Sequence, residues 1–216
     1  MSGNTNIQRT TPNFDEESAL ISQGYRFIAG VDEAGRGALA GPVVAAAVIL
    51  PPDSTFPRLQ SVKDSKLVSP EKREELYLLI VEESLATGVG IIDNAIIDSV
   101  NILNATKIAM REAVRQLSSA PDYILIDGST LTRIPCRQKC IVKGDRYCLS
   151  ISCASIIAKV VRDHIMNEYD NLYPEYGFAR HKGYGTEYHL LCLREYGPVN
   201  IHRYSFAPIK NLYALL

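Results

Sequence analysis

Four carboxylates in this chain stand where a sheet protein can gather negative charge. Asp32 and Glu33 follow an apolar run at residues 25–31 and precede Gly35-Arg36-Gly37. Asp127 closes a second run at 123–126, and Asp145 follows a third at 139–142. Side by side at neighbouring strand ends, such acids repel one another in a medium of low dielectric, and some stay protonated. Divalent cations lift that penalty, and Mg²⁺ and Mn²⁺ favour carboxylate and water oxygens. Two ions about 4 Å apart can hold the attacking water and the leaving oxygen of a phosphodiester. Each acid also has a plainer explanation. Strand ends are exposed and often acidic, and Asp127-Gly128 reads equally well as a turn. Asp32-Glu33 is the strongest signal, because two acids directly follow a buried run and precede a glycine turn. Adjacent strand residues face opposite sides, so the strand is expected to end or twist sharply there.

Gly35-Arg36-Gly37 reads first as a tight turn. Its functional reading is that two residues without side chains let backbone approach a nucleotide, with Arg36 free to meet a phosphate. Asp163 rivals Asp145 as a ligand, but its neighbours Lys159 and Arg162 favour a structural ion pair. Lys159 itself divides evenly between surface and phosphate contact. His181 and His202 are poor candidates for a general base, since a metal-activated water needs none. Cys136 with Cys140 and Cys148 with Cys153 are badly spaced for a zinc knuckle and read as free thiols. Tyr169, Tyr173 and Tyr176 with Arg180 can be a stacking surface or, more simply, packing residues.

The elements that position the acids follow from pattern. Residues 42–50 are almost wholly apolar, as in a strand buried on both faces. Further strands are expected at 25–31, 87–93, 123–126 and 139–142. Helices are expected at 15–23, with Asn13 as cap; from Ser69-Pro70-Glu71, a hydroxyl cap with proline in the first turn; from Asn101 to about 117; at 150–169; and at 186–196. The order suggests one α/β domain on a mixed sheet, residues 14–216, behind a disordered tail at 1–13.

The 216 residues carry 23 Lys and Arg against 24 Asp and Glu, a net charge of −1. The basic excess that marks many nucleic-acid binders is missing, although a local basic patch beside an acidic site averages to the same total. Five cysteines and no apolar leader suggest a reducing, cytoplasmic setting. No apolar run nears the ~20 residues that span a bilayer.

Taken together, these stretches resemble the ribonuclease HII family. The matching blocks run from Ala29-Gly30-Val31-Asp32-Glu33-Ala34-Gly35-Arg36-Gly37 through Leu39-Ala40-Gly41-Pro42-Val43, Asp64-Ser65-Lys66, Ile126-Asp127-Gly128 and Lys143-Gly144-Asp145. They continue with residues 154–163, His181-Lys182-Gly183-Tyr184-Gly185-Thr186 and His202-Arg203-Tyr204-Ser205-Phe206. The resemblance implies a ribonuclease H-like fold, a five-stranded mixed sheet flanked by helices, with a C-terminal helical segment. It implies an endonuclease that cuts RNA in RNA–DNA hybrids and single ribonucleotides embedded in duplex DNA, leaving 3′-hydroxyl and 5′-phosphate ends, with roles in ribonucleotide excision repair and replication.

Carried over residue by residue, the catalytic metal ligands fall on Asp32, Glu33, Asp127 and Asp145, for two Mg²⁺ or Mn²⁺ ions. The substrate-binding residues fall on Gly35, Arg36, Gly37 and Tyr184, with Lys66 near the phosphates. Only the 2′-hydroxyl distinguishes RNA from DNA at one position, and glycine-turn backbone can hydrogen-bond it. Ala38 departs from the family's frequent proline, and Cys148 and Cys153 from its small apolar residues. The type HIII relatives carry an extra N-terminal domain for which this chain has no room. A monomer is expected, with a sliding clamp docking on residues 212–216 as a weaker expectation.

Overall fold

The computed structural model describes residues 11–52, 55–62, 68–129 and 132–213. Lys66, expected near the phosphates, lies outside them. Five strands form one sheet: β1 (Ile28–Ala34), β2 (Val43–Ile49), β3 (Ala86–Ile92), β4 (Tyr123–Asp127) and β5 (Arg137–Ile141). Their order is β3-β2-β1-β4-β5. The β1–β2 and β2–β3 pairs are antiparallel, and the β1–β4 and β4–β5 pairs are parallel.

Every residue of β2 is buried, because both sheet faces are covered. Val43, Ala45, Ala47 and Ile49 face the core under α4 (Ile102–Arg115), with Ala105, Ala109 and Ala113. Val44, Ala46 and Val48 face the opposite core under α2 (Pro70–Glu83) and α5 (Leu149–Leu172). Helix α5 lies directly on β1. A Cβ at Gly30 would stand 2.2 Å from the Ser150 carbonyl carbon, so only glycine admits that approach. The start of α5 has no side-chain cap of its own. Glu17 of α1 (Asp15–Ile21) takes that place, accepting the Ser150 N–H at 2.8 Å. A third core joins Leu39 and Ala40 to Met166 of α5 and to the C-terminal helices α6 (Phe178–His181), α7 (Glu187–Tyr196) and α8 (Ile209–Tyr213).

Several boundaries depart from the sequence pattern. The first strand starts three residues later than expected and runs on through Asp32, Glu33 and Ala34, because β2 goes on pairing with it. Asp93 leaves the third strand to cap an unforeseen helix, α3 (Asn94–Val100), accepting the Ile96 N–H at 2.9 Å. Asn101, at φ 67°, then breaks the chain and caps α4. Asn13 belongs to the fold rather than the tail: it bridges to Cys148, and its carbonyl accepts the Leu149 N–H.

Candidate active site

The acids meet where β4 stops short. The β1–β4 ladder ends at the pair Val31 and Ile126, whereas β1 stays paired to β2 as far as Ala34. Asp32 and Glu33 therefore sit in continuous strand beside Asp127, the last residue of β4. The expected strand end or sharp twist at Asp32 is absent. The two side chains do face opposite sides, as strand geometry requires. Asp32 points toward α5, where Ser155 hydrogen-bonds its carboxylate. Glu33 lines a small groove of about 120 Å³ with Leu103, Thr106 and Lys107 of α4. Because β4 has ended, Glu33 and Asp127 border that groove and also the main cleft, of about 420 Å³, which Asp32 lines. The end of one strand opens a gap through which acids from both faces share one space.

That space is electrostatically unfavourable as it stands. Asp32 is 5% exposed. Burial, first, and then the charges of Glu33 and Asp127 hold its carboxyl well above the usual range, against the hydrogen bonds from Ser155 and the Glu33 N–H. Asp127 accepts the Gly144 N–H at 2.6 Å, which ties β4 to the 3-10 turn Gly144–Arg146. Asp145 is buried in that turn and is not among the residues lining the cleft. Three of the four expected ligands thus share the cleft, and the fourth, Asp145, is not among its lining residues. Among the described residues no three His, Cys, Asp or Glu side chains form a ready-made metal cage. The donors in the cleft are carboxylate oxygens, and the mutual repulsion at Asp32 is the kind a hard divalent cation relieves, so this donor set fits Mg²⁺ or Mn²⁺.

The glycine turn and Tyr184 line the same cleft. Gly35 has φ 91°, and a Cβ there would stand 2.0 Å from Arg162 Nε, so no other residue fits. A Cβ on Gly37 would come within 3.9 Å of the Tyr184 ring. Arg36 is paired with Glu33 at 3.1 Å across the divide between the two openings.

Two residues with no role assigned from sequence hold this wall from behind. Arg162 and Arg203 are both fully buried. Arg162 donates to the carbonyls of Ala40, Pro42 and Lys182, and its guanidinium lies 5.5 Å from the Tyr184 ring centre. Arg203 donates to the carbonyls of Gly35, Arg36, Gly41 and Pro42. Burial, with Arg162 alongside, pushes the Arg203 pKa down to about 9, so it stays charged at neutral pH. Both lie in quoted sequence blocks, but nothing local signals that their targets are backbone carbonyls, one of them 20 residues away and the rest 120 to 168.

The histidines form a buried chain behind Tyr184. A carbonyl only accepts, so His189 Nδ1–H donates to the Tyr184 carbonyl at 3.0 Å. His189 Nε2 then accepts from His202 Nε2–H at 3.0 Å, and His202 Nδ1 accepts the Val199 N–H at 2.9 Å. The chain needs both rings neutral, and burial pushes each down to about 4. His181 stacks on His189, its ring centre 4.5 Å away. None of the three lines the cleft. Lys159 does line it, while pairing with Asp163 at 2.5 Å. Asp163 also meets Arg73 at 3.4 Å, which fits the structural ion-pair reading. Tyr176 is a packing residue, stacked on Phe178. All five cysteines are free thiols.

The family model for ribonuclease HII matches residues 29–209, a span that holds the whole cleft and all five strands except Ile28. The chain belongs to the ribonuclease HII family. That family is one of hydrolytic, metal-dependent endoribonucleases, and its fold is the ribonuclease H-like fold. The chain is 50% identical over 205 residues to the ribonuclease HII of Dehalococcoides mccartyi, covering 95% of this chain and 97% of that one. The crystal structure of ribonuclease H2 from Pyrococcus horikoshii superposes with a TM-score of 0.73 at 26% identity, over 87% of this chain and 97% of that one. The ribonuclease HII of Archaeoglobus fulgidus, solved in complex with PCNA, gives a TM-score of 0.68 at 27% identity, over 82% and 93%.

Proposed function

We propose that this enzyme cleaves the phosphodiester at ribonucleotides, both in RNA–DNA hybrids and at single ribonucleotides embedded in duplex DNA, leaving 3′-hydroxyl and 5′-phosphate ends. One observation carries the reading: Asp32, Glu33 and Asp127 share a single cleft with the Gly35-Arg36-Gly37 turn and Tyr184. Acids that can hold metal and a backbone that can read a sugar thus face the same short stretch of substrate.

Asp32, Glu33, Asp127 and Asp145 are the proposed ligands for two Mg²⁺ or Mn²⁺ ions. Bound there, the ions supply the Lewis acidity for in-line attack on the phosphodiester. The turn's backbone receives the ribose 2′-hydroxyl, the group that separates RNA from DNA. The Tyr184 ring, 40% exposed, stacks on the next sugar and favours a neighbour that lacks a 2′-hydroxyl. Arg36 leaves Glu33 to meet a phosphate as substrate enters. No histidine lines the cleft, so proton transfer is left to water and carboxylates.

Among the described residues no helix is long and apolar enough to cross a membrane, and we place the enzyme in the cytoplasm as a monomer serving ribonucleotide excision repair and replication. A sliding clamp is a further proposed partner, by analogy with the Archaeoglobus complex. Residues 214–216 of the expected docking tail lie outside the described residues. The test is cleavage of a duplex carrying one ribonucleotide against the same duplex in all-DNA form, with Mg²⁺ and then Mn²⁺. Equal cutting of both duplexes would sink this reading.

A further inference from the structure

We infer that Arg203 is the positioning residue that gives the Gly35–Gly37 turn its polarity, and through that polarity sets the enzyme's preference for a ribose. This rests on the proposed function above and deepens it.

Arg203 is fully buried, and no carboxylate among the described residues lies within ion-pair distance of it. Desolvating a charge without an opposite charge is costly, so the contacts it does make are informative. All its hydrogen bonds go to backbone carbonyls: Nη2 to Gly35 at 2.7 Å, Nη1 to Arg36 at 2.9 Å, and the remaining donations to Gly41 and Pro42 at 2.9–3.1 Å. A guanidinium only donates, so it draws the turn's oxygens inward.

In a planar trans peptide the C=O of one residue and the N–H of the next point in opposite directions. Turning the Gly35 carbonyl inward turns the Arg36 N–H outward. Turning the Arg36 carbonyl inward does the same for the Gly37 N–H. The remaining hydrogen bonds agree: among the described residues neither amide donates to any acceptor, although all three guanidinium nitrogens of Arg203 do donate. Both residues line the cleft. The result is a pair of free amides, fixed from behind, that fits one acceptor oxygen. A sugar hydroxyl and a phosphate oxygen share that chemistry, and the position beside Tyr184 assigns it to the 2′-hydroxyl.

The test uses the full chain with Asp127→Asn, so that binding is read without cleavage. Affinity is measured for a duplex with one ribonucleotide and for the same duplex in all-DNA form. The parent is expected to prefer the first, and a parent with no preference refutes the underlying function instead. Adding Arg203→Lys, which keeps the charge but reaches fewer carbonyls, is expected to cut the preference about tenfold, the scale of one lost hydrogen bond. All-DNA binding is expected to stay nearly unchanged. An unchanged preference, or an equal loss on both duplexes, overturns the inference. The latter is what a phosphate contact or a merely structural role would give. Should Arg203→Lys not fold, amide hydrogen exchange on the unaltered protein decides. Fast exchange at Arg36 and Gly37 beside slow Arg203 guanidinium protons supports the inference, and protected turn amides contradict it.

Discussion

The two walls of the cleft solve opposite electrostatic problems. On the sheet side, Asp32, Glu33 and Asp127 crowd like charges together, and burial with repulsion keeps Asp32 protonated well above its usual range. On the loop side, the charges of Arg162 and Arg203 are spread over six carbonyls, those of Gly35, Arg36, Ala40, Gly41, Pro42 and Lys182. The histidines behind Tyr184 form a neutral, fully paired chain. One wall is left incomplete and is completed by what binds. The other is complete before anything binds. Under the proposed function, one wall holds ions and the other measures a sugar, and that division is needed because a site that adapts cannot also serve as a ruler.

Substitutions should therefore behave differently on the two sides. The largest effect is expected at the acids. Asp32→Asn or Asp127→Asn should lower the cleavage rate by about a thousandfold or more, the scale of lost transition-state electrostatics, while denaturation shows unchanged or slightly higher stability for Asp32→Asn, since a repelled buried charge has gone. A large loss of stability there would break the contrast.

Gly35→Ala should do the reverse and destabilise the fold itself. The left-handed backbone and the 2.0 Å approach to Arg162 put the cost at roughly 2 kcal/mol or more, read by urea denaturation.

The histidine chain sharpens the comparison through pH. His189 and His202 titrate near 4 in the fold, against about 6.5 when unfolded. A depressed folded value means the stabilisation is full above pH 6.5 and is lost as pH falls toward 4. On the order of 3 kcal/mol per ring, about twice that for the two together, should disappear across that window. Imidazole NMR should find both rings neutral at pH 5.5, and charged rings there would refute the chain.

The smallest effect is expected at Asp163. Its pairs with Lys159 and Arg73 lie beside the cleft, so Asp163→Asn should cost about 1 kcal/mol of stability and change cleavage only several-fold. A loss as large as that at Asp127 would make it a ligand after all.

The two walls also differ in how far sequence reveals them. The acids are legible because each follows an apolar run, and β2 is legible because nine nearly continuous apolar residues admit one arrangement. The joint geometry is not. That β1 outruns β4 depends on pairing with β2, and pattern alone ends the strand at Val31. Helix α3 escapes because Asp93 reads as strand until its capping bond is seen. Asp145 is buried in a 3-10 turn tied to β4 by the Asp127–Gly144 bond and does not line the cleft, which no sequence pattern shows. The arginine pair behind the turn is invisible for a simpler reason. A guanidinium that binds carbonyls needs no partner residue type, so no pairing across the sequence betrays Arg162 or Arg203.

The central claim is that one cleft both cuts and measures. It is tested most directly by incubating the enzyme in Mg²⁺ with a duplex that carries a single ribonucleotide, beside its all-DNA counterpart and the Asp127→Asn variant. The expected result is one cut at the ribonucleotide with a 3′-hydroxyl end, none in all-DNA, and none from the variant. Equal cutting of both duplexes, or full activity in Asp127→Asn, would contradict it.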